Sequence, residues 1–426
     1  MKYIKANQNR VILSCSYSYS DMVERNDTAV TNDHTDLSDK NFTCPVWNVT
    51  DDTIQPENQL DKKSIITTQK FDWSEEEIGY VQSAYFVGYI STMIIGANII
   101  IQGFGFYRGC LLLLVLSTLS LLIFPLMTQL FGLYGAIGLR FLLGATHGPC
   151  TSLVAYSWYL WVLPYELTTA NTISNLGAGA GAVGSMVISG QLLEVIGWVN
   201  LHYVIGGISV AIVMLWFLFA DDAPEQETKQ VWRPFSFSNQ ISDKERQLIV
   251  ENRPSKRSGK KLHWAKMFSS MNVWLFSAAW FLITAAYITM NLLGMRYAVY
   301  ISQIPLKVAT GYGSIAALVS FPTLMGFAML SDCTIKNVIS SSLVRKCTFT
   351  LFTIISILSI LPMIIYPCNM TIVLLCMMVS SLSMGTVLTI STKPIPNEMA
   401  GEYSGQLYAF SNTLGNISGV ISKFAV

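Results

Sequence analysis

Ten stretches of predominantly apolar residues follow one another between Ile78 and the C-terminus. Each stretch is close to the length of about 20 residues that an α-helix needs to cross a hydrocarbon core of roughly 30 Å. Lipid offers no partner for backbone N–H and C=O groups, so the stretches must be helical. The sequence therefore predicts an all-α polytopic membrane protein. The predicted spans are residues 78–101, 109–129, 132–160, 170–194, 199–220, 272–293, 311–330, 347–366, 371–391 and 403–423.

Composition agrees with this interpretation. Hydrophobic residues make up 52% of the 426 positions, and charged residues only 12%, about half the roughly 25% of a soluble protein. The net charge of +1 creates no field that would attract nucleic acid. We expect the lipid bilayer and a small molecule as partners, with no nucleic acid.

The eight cysteines lack the close spacing of a zinc site or a redox pair, so no metal is predicted. Cys15, Cys44 and Cys368 are predicted to share one non-cytosolic compartment, in which one pair could be bridged. Buried or free thiols are the preferred interpretation.

Charge and glycosylation signals predict one topology. The polar segment 221–271 holds ten Lys and Arg residues, which predicts a cytoplasmic location. Counting spans from it places residues 331–346 in the cytoplasm and the acidic segment 1–70 outside it. N-glycosylation acceptors then lie on the non-cytoplasmic side; they are Asn26, Asn41, Asn48 and Asn369.

Five predicted spans precede the basic loop and five follow it. This arrangement suggests two pseudo-equivalent halves, as in many secondary transporters. The predicted organisation is a glycosylated N-terminal segment at 1–70, a first helix bundle at 71–220, the cytoplasmic loop at 221–271, and a second bundle at 272–426.

Several motifs carry a resemblance to one transporter family. They are "FDWSEEEIGYVQSAYFVGYI" (71–90), "LRFLLGATHGPCTSLVAYSWYLWVLPYELTTANTIS" (139–174), "ISDKERQLI", "WAKMFSSMNVW" and "NEMAGEYSGQLYAFSNTLGNISG". Together they resemble the anion transporters of the major facilitator superfamily, which include sialin, the vesicular glutamate transporters and the sodium-phosphate cotransporters. The resemblance covers most of residues 71–420.

The resemblance also exposes departures from the family pattern. Members have twelve helices, and neither their first nor their last has a counterpart among the ten predicted spans. This favours a truncated or mispredicted product or a short isoform. Gln102 stands where the family's first cytoplasmic loop carries an acid, so we expect the charge latch of that loop to be weakened.

Arg140 is the strongest candidate for binding substrate. An arginine near a membrane-helix centre costs at least about 2.5 kcal/mol to insert and usually faces a partner or a water-filled cavity. A guanidinium holds carboxylate or phosphate in a bidentate fork, and the resemblance implies anion binding at this position. The alternative is that Arg140 extends to the nearer interface or pairs with a helix end.

His147 follows Arg140 by seven residues, or two helical turns, so both project from nearly the same face. The resemblance implies glutamates at Leu143 and His147, the latter tied to proton coupling. Histidine titrates near neutrality and could replace the acid as proton carrier. A neutral histidine bonded to a neighbouring helix is an equally good interpretation.

Further candidates lie on the first predicted span and near residue 393. Tyr85, Tyr89 and Gln82 are predicted to line the substrate cavity, although aromatic packing also explains the tyrosines. Gln82 and Ile283 replace a histidine and an arginine of the glutamate-transporting members, which argues against glutamate as substrate. Lys393 could add a second positive charge to the pathway, but the preferred interpretation is that it marks the cytoplasmic interface.

The stretch "NLGAGAGAVGSMVISG" (175–190) matches a dinucleotide fingerprint by letter. No strand precedes it and membrane segments surround it, so that interpretation is rejected. Small residues let membrane helices approach closely. The resemblance implies that this helix packs against the other half, so Gly177, Gly181 and Gly184 are predicted to lie at that contact.

The predicted function is secondary transport of an acidic sugar, carboxylate or phosphate, coupled to H+ or Na+ and without a cofactor, by a monomer in a lysosomal, vesicular or plasma membrane. One alternative is a truncated product that does not transport. A membrane-embedded hydrolase using His147 is less favoured, because no nucleophile motif accompanies it. The chain is thus not expected to be an enzyme.

Overall fold

The computed structural model describes residues 71, 73–225, 241–253, 262–304, 306–337 and 339–424, and these are predominantly helical. The predicted glycosylation sites Asn26, Asn41 and Asn48 lie outside the described residues. The α-helices are α1 Glu75–Ile99, α2 Phe106–His147, α3 Cys150–Trp161, α4 Leu167–Phe219, α5 Asp243–Glu251, α6 Trp264–Ser269, α7 Met271–Arg296, α8 Leu306–Asn337, α9 Ser341–Ile365, α10 Met370–Thr386, α11 Ile395–Ala400 and α12 Ser404–Phe424. Short π-helical turns follow α1, α7 and α10, at Ile100–Phe104, Tyr297–Ile301 and Val387–Thr392.

Two glycines divide the longest helices. Gly132 in α2 has φ 56° and Gly197 in α4 has φ 75°, a backbone region that glycine enters without a steric penalty. Each break separates two predicted spans. Seven helical stretches in the described part are long and apolar enough to cross a membrane, and Phe106–Trp161 and Met370–Ser418 each cover two predicted spans. The prediction of a polytopic helical membrane protein is confirmed.

The first described helix begins at a capping box. Ser74 Oγ accepts a hydrogen bond from the Glu77 backbone N–H at 3.3 Å, and the Glu77 carboxylate accepts one from the Ser74 N–H at 2.8 Å. The two residues satisfy each other's otherwise unpaired donors. This fixes the start of α1, three turns ahead of its candidate site residues.

The helices pack as two groups that meet along α4, α8, α1, α3 and α12. We call residues 71–220 the first half and residues 272–424 the second half. Within the first half α2 packs against α1 and α4, and within the second α7 packs against α12 and α9 against α10. Between the halves, α4 packs on α8, and both α1 and α3 pack on α12.

The two ends of the bundle have different surroundings. We call the end with Asp221, α5 and Ser340 the loop side, because the central loop enters there. The opposite end, with Gly132, Gly197 and Asn369, is the tail side. Asn369 is exposed there, and its Oδ1 caps α10 by accepting the Ile372 N–H at 3.2 Å.

The helices approach each other closely at glycines other than the predicted ones. A Cβ at Gly177, Gly181 or Gly184 would meet no atom of the described residues within 4 Å, so within them the prediction that these glycines pack against the other half is wrong. The tight crossing is instead between α1 and α2. There Gly144 lies against the backbone of Tyr85, and Gly148 against that of Tyr89. Gly144 and Gly148 form the small-x-x-x-small spacing that favours close membrane-helix packing.

Cys368 is disulfide-bonded, and its partner lies outside the described residues. This corrects the preference for unbridged thiols. Such bonds persist in oxidising compartments, so the bond agrees with a non-cytosolic tail side. The free cysteines are Cys110, Cys150, Cys333, Cys347 and Cys376.

Candidate substrate and coupling site

A tyrosine and a histidine join α1 to α2. The Tyr85 hydroxyl lies 3.1 Å from His147 Nδ1, and the two rings meet edge to face with 5.9 Å between their centroids. Both side chains are half-buried. The close crossing at Gly144 brings them together, because a side chain at 144 would collide with the Tyr85 carbonyl. His147 is thus bonded to a neighbouring helix.

Arg140 lies in an aromatic stack. Its Cζ is 5.5 Å from the centroid of the Phe124 ring. His202 stacks on Phe124 with 5.0 Å between centroids and 6° between planes, and its Nδ1 lies 2.8 Å from the Trp198 carbonyl oxygen. That carbonyl can only accept, so Nδ1 carries the proton. Arg140 is also within electrostatic range of Tyr85 and His202.

The Arg140 guanidinium has no counter-ion in the described part of the chain. The ion pairs found there belong to Arg246, Arg253 and Arg345. A half-buried guanidinium on a ring face keeps its in-plane N–H donors available. The geometry therefore suits the reception of an anion, and no helix-end carbonyl of the described residues accepts a hydrogen bond from Arg140.

Tyr89 joins the first half to the second. It lies beside Thr151 and beside Asn412 of α12, and its ring stacks on Tyr85 with 6.1 Å between centroids. Beside it, Thr413 Oγ1 lies 3.1 Å from Met93 Sδ. Tyr89 is therefore placed to sense movement between the halves.

Two positions at which the family pattern is lost lie in different surroundings. Gln82 is exposed, one turn before Tyr85 on α1. Ile283 is buried in α7 with 7% of its surface exposed. Neither side chain is charged, so neither adds a charge to the region around Arg140.

A polar network closes the loop side. Arg345, 4% exposed, donates to the Glu398 carboxylate at 3.0 Å, to Thr168 Oγ1 at 2.7 Å and to the Ile390 carbonyl at 2.9 Å. Asp332 accepts the backbone N–H groups of Thr168 and Thr169 at 3.3 and 2.7 Å. A carboxylate at the start of α4 satisfies unpaired donors and is favoured by the helix dipole. The network ties the first half to the second.

Around Gln102, in the equivalent loop of the first half, the described residues form no such network. Gln102 Nε2 donates to Asn98 Oδ1 within its own helix at 2.8 Å. Asp222 instead reaches back to this region and accepts the Tyr107 backbone N–H at 2.7 Å. The bond between Gln102 and Asn98 is local, which agrees with the predicted weakness of the charge latch at Gln102.

Lys393 also connects the two halves. Its Nζ donates to Asn175 Oδ1 of α4 at 2.6 Å, and Asn175 Nδ2 donates to Thr389 Oγ1 at 3.1 Å. Lys393 is half-buried. It therefore lies inside the contact between the halves, which the interpretation as a mere interface marker did not foresee.

Sequence reasoning missed Phe124, His202, Asp332 and Arg345. The signal for the last two was present, since "SDC" and "LVRK" flank a loop predicted to be cytoplasmic. Phe124 and His202 gave none, because their role depends on how the segment after Gly197 packs on α2. No group of His, Cys, Asp and Glu within the described ranges is arranged to hold a metal ion.

The family follows from a match over most of the chain. The family model described as Major Facilitator Superfamily matches residues 63–422. The chain belongs to the Major Facilitator Superfamily. Membership confirms the fold class and a multi-pass membrane location, and it places the chain among transporters rather than enzymes.

Relatives within the superfamily confirm the resemblance to the anion transporters. The chain is 28% identical to sialin of Ovis aries over 218 residues, which cover 50% of this chain and 41% of sialin. It is 30% identical to vesicular glutamate transporter 2 of Homo sapiens over 224 residues, covering 51% of this chain and 36% of that one. The matches therefore span about two fifths of these relatives.

Solved superfamily structures share the fold at low sequence identity. The proton:xylose symporter XylE bound to 6-bromo-6-deoxy-D-glucose superposes with a TM-score of 0.61 at 13% identity, over 83% of this chain and 80% of XylE. FucP in the outward conformation gives 0.57 at 14% identity, over 83% and 84%. These likenesses support the fold alone.

Proposed function

We propose that the chain is a secondary active transporter of a small organic or inorganic anion, with Arg140 as its anion-binding residue. The observation that carries this proposal is a membrane guanidinium with an aromatic support and no counter-ion among the described residues. Such a charge is costly in lipid unless a partner or water compensates it. A substrate anion would supply that partner.

Alternating access is the mechanism that the packing favours. The halves are joined on the loop side through Arg345, Asp332 and Asn175. Beyond Asn175 toward the tail side, α4 is exposed from Gly177 to Val183. This exposure favours halves that diverge toward the tail side.

The proposed substrate class is an acidic sugar, a carboxylate or phosphate. Sialin and the vesicular glutamate transporters are the relatives that support an anion. Glutamate is disfavoured, because Gln82 and Ile283 stand where those transporters carry a histidine and an arginine. A guanidinium fork binds carboxylate and phosphate equally well, so the geometry does not separate these classes.

The proposed coupling residue is His147, with H+ as the coupling ion and Na+ as the alternative. The Tyr85 hydroxyl lies 3.1 Å from Nδ1 of His147, on the two helices that carry Tyr89 and Arg140, and histidine is the side chain whose unperturbed pKa lies nearest neutrality. A proton taken up at His147 would add positive charge beside the anion site. Protonation would thereby strengthen anion binding, which is the linkage that symport requires.

We further propose the two halves as separate helix bundles, with the loop side in the cytoplasm. The chain would act as a monomer in a lysosomal, vesicular or plasma membrane, with sugars at Asn26, Asn41, Asn48 and Asn369. The ten Lys and Arg residues of 221–271 and the disulfide at Cys368 support this orientation.

Uptake into proteoliposomes tests the function. Labelled sialic acid, glucuronate, glutamate and phosphate are offered with and without a pH or Na+ gradient. We expect gradient-dependent uptake of at least one, and its loss in R140A without loss of folded protein in the membrane. Absence of uptake by the wild type would overturn the transporter proposal, and unchanged uptake by R140A would remove Arg140 from it.

A further inference from the structure

We propose that Lys393 forms a second anion site, at the loop-side end of the pathway, which receives the substrate after it leaves Arg140. The proposal rests on the transport function proposed above. Its starting point is the bond between Lys393 Nζ and Asn175 Oδ1, which bridges the second and first halves at 2.6 Å. When the loop side opens, α4 moves away from α10 and this bond must break.

The charge of Lys393 is uncompensated in the closed state. An ammonium group has three donors, and the bond to Asn175 is the one hydrogen bond that its Nζ makes within the described residues. No carboxylate pairs with it in the same part of the chain, whereas Arg345 has Glu398 and Arg253 has Glu225. Asn175 is neutral, so it satisfies a donor without cancelling a charge.

The surroundings of Lys393 hold further polar groups without partners. Ser391 Oγ and both amide atoms of Asn397 are buried and make no hydrogen bond within the described part. A buried polar group left unpaired costs about 1–3 kcal/mol, so these groups gain when water or an anion reaches them. Ser391 precedes Lys393 by two residues, and Asn397 follows it by four.

These observations assign Lys393 a ligand class. On opening, the ammonium loses Asn175 and needs a new acceptor, and a carboxylate or phosphate oxygen is the best acceptor for it. An anion bound there would stabilise the open loop side in place of the broken bond. Lys393 would thus bind substrate in the inward-open state, as Arg140 does in the outward-open state.

Transport measured from each face tests the assignment. Right-side-out and inside-out vesicles containing the full chain are given labelled sialic acid, glucuronate, glutamate or phosphate. We expect K393M to raise the loop-side KM by about tenfold or more, the effect of losing a hydrogen bond to a charged group. The tail-side KM should stay within about twofold, because Arg140 is intact, and K393R should retain the loop-side KM.

Two control variants separate a binding role from a latch role. N175A breaks the bridge but keeps the charge and frees it for substrate, so we expect its loop-side KM to equal or fall below that of the wild type. K244M removes an exposed lysine of the loop-side helix α5 and should change neither KM. Equal effects of K393M and N175A on the loop-side KM would reduce Lys393 to a latch and overturn the inference.

The outcomes also distinguish this inference from the proposed function. If the wild type transports an anion and K393M behaves as K244M does, the second anion site fails and the transporter stands. If the wild type carries none of the four anions from either face, both fail. A folded K393M protein is verified by its melting temperature, and K393R supplies the test if K393M does not fold.

Discussion

The guanidinium of Arg140 lies over the ring of Phe124, with 5.5 Å between Cζ and the ring centroid. His202 covers the same ring in a parallel stack. The ring thus fixes the orientation of the cation. Because the ring carries no net charge, it does not compete with an anionic substrate. An anion-binding arginine needs both properties, because a resident carboxylate would have to be displaced by each substrate.

Replacing Phe124 should weaken substrate binding without removing transport. A cation–π contact contributes about 0.5–1 kcal/mol at partly exposed sites, so we expect F124L to raise KM two- to fivefold, and F124W to preserve it. Uptake kinetics measure the change. F352L is the matched control, since Phe352 pairs edge to face with Phe327 in the second half; a similar rise in KM there would point to general loosening.

Replacing His147 should change the pH dependence of uptake. Gln at this position cannot take up a proton, so we expect H147Q to flatten the pH profile. Y85F keeps a titratable histidine but removes its partner at 3.1 Å, so it should displace the profile rather than flatten it. Uptake is measured from pH 5 to 8, the range in which histidine titrates. A wild-type profile in H147Q would remove His147 from coupling.

Breaking the Arg345 network should destabilise the folded chain strongly. Removing one partner of a buried ion pair costs about 3–5 kcal/mol, because the other charge stays buried and unpaired. We expect R345M to lower the melting temperature in detergent. D243N removes an ion pair whose carboxylate is 97% exposed, and such pairs contribute about 0–1 kcal/mol. Equal melting temperatures for R345M and the wild type would contradict a stabilising role of the Arg345 network at the loop side.

Glycine substitutions should separate the true helix crossing from the predicted one. A methyl group at Gly144 collides with the Tyr85 carbonyl, whereas a methyl group at Gly181 meets nothing within 4 Å. We therefore expect G144A to cost about 1–3 kcal/mol, typical of overpacking, and G181A to be nearly neutral. Thermal unfolding measures both. If G144A left the free energy of unfolding unchanged, α1 and α2 would have to cross at a greater distance than in this structure.

Glycosylation mapping should fix the orientation in the membrane. Asn369 is exposed on the tail side, so we expect N369Q to increase electrophoretic mobility by one glycan unit in cells that glycosylate. T371A removes the same acceptor while leaving the asparagine side chain that caps α10. Unchanged mobility in both variants would argue against a lumenal or extracellular loop at 366–369.

The fold was largely predictable because lipid imposes a simple rule on sequence. Apolar length alone located the spans that the structure shows, and Gly132 and Gly197 mark the breaks that separate two pairs of successive spans. Helical spacing also pointed to Arg140 and His147. It did not find Phe124 or His202, because stacking between them is set by packing after the break at Gly197.

The glycine prediction failed for a related reason. A high density of small residues along one helix indicates that another helix can approach closely. It does not indicate which helix does so. Gly144 and Gly148 are fewer and less conspicuous than the glycines after Asn175, yet they lie where Tyr85 and Tyr89 pass. The contact depends on the crossing point of α1 and α2, which composition does not specify.

One guanidinium at the loop side meets four segments of the chain. Arg345 of α9 bonds Thr168 of α4, Ser331 of α8, Ile390 of the turn after α10, and Glu398 of α11. Ser331, Ile390 and Glu398 belong to the second half, as Arg345 does, and Thr168 alone belongs to the first. Moving α4 away therefore removes one bond and leaves the guanidinium paired with Glu398, so the second half should keep its loop-side shape and move as a rigid body when the loop side opens.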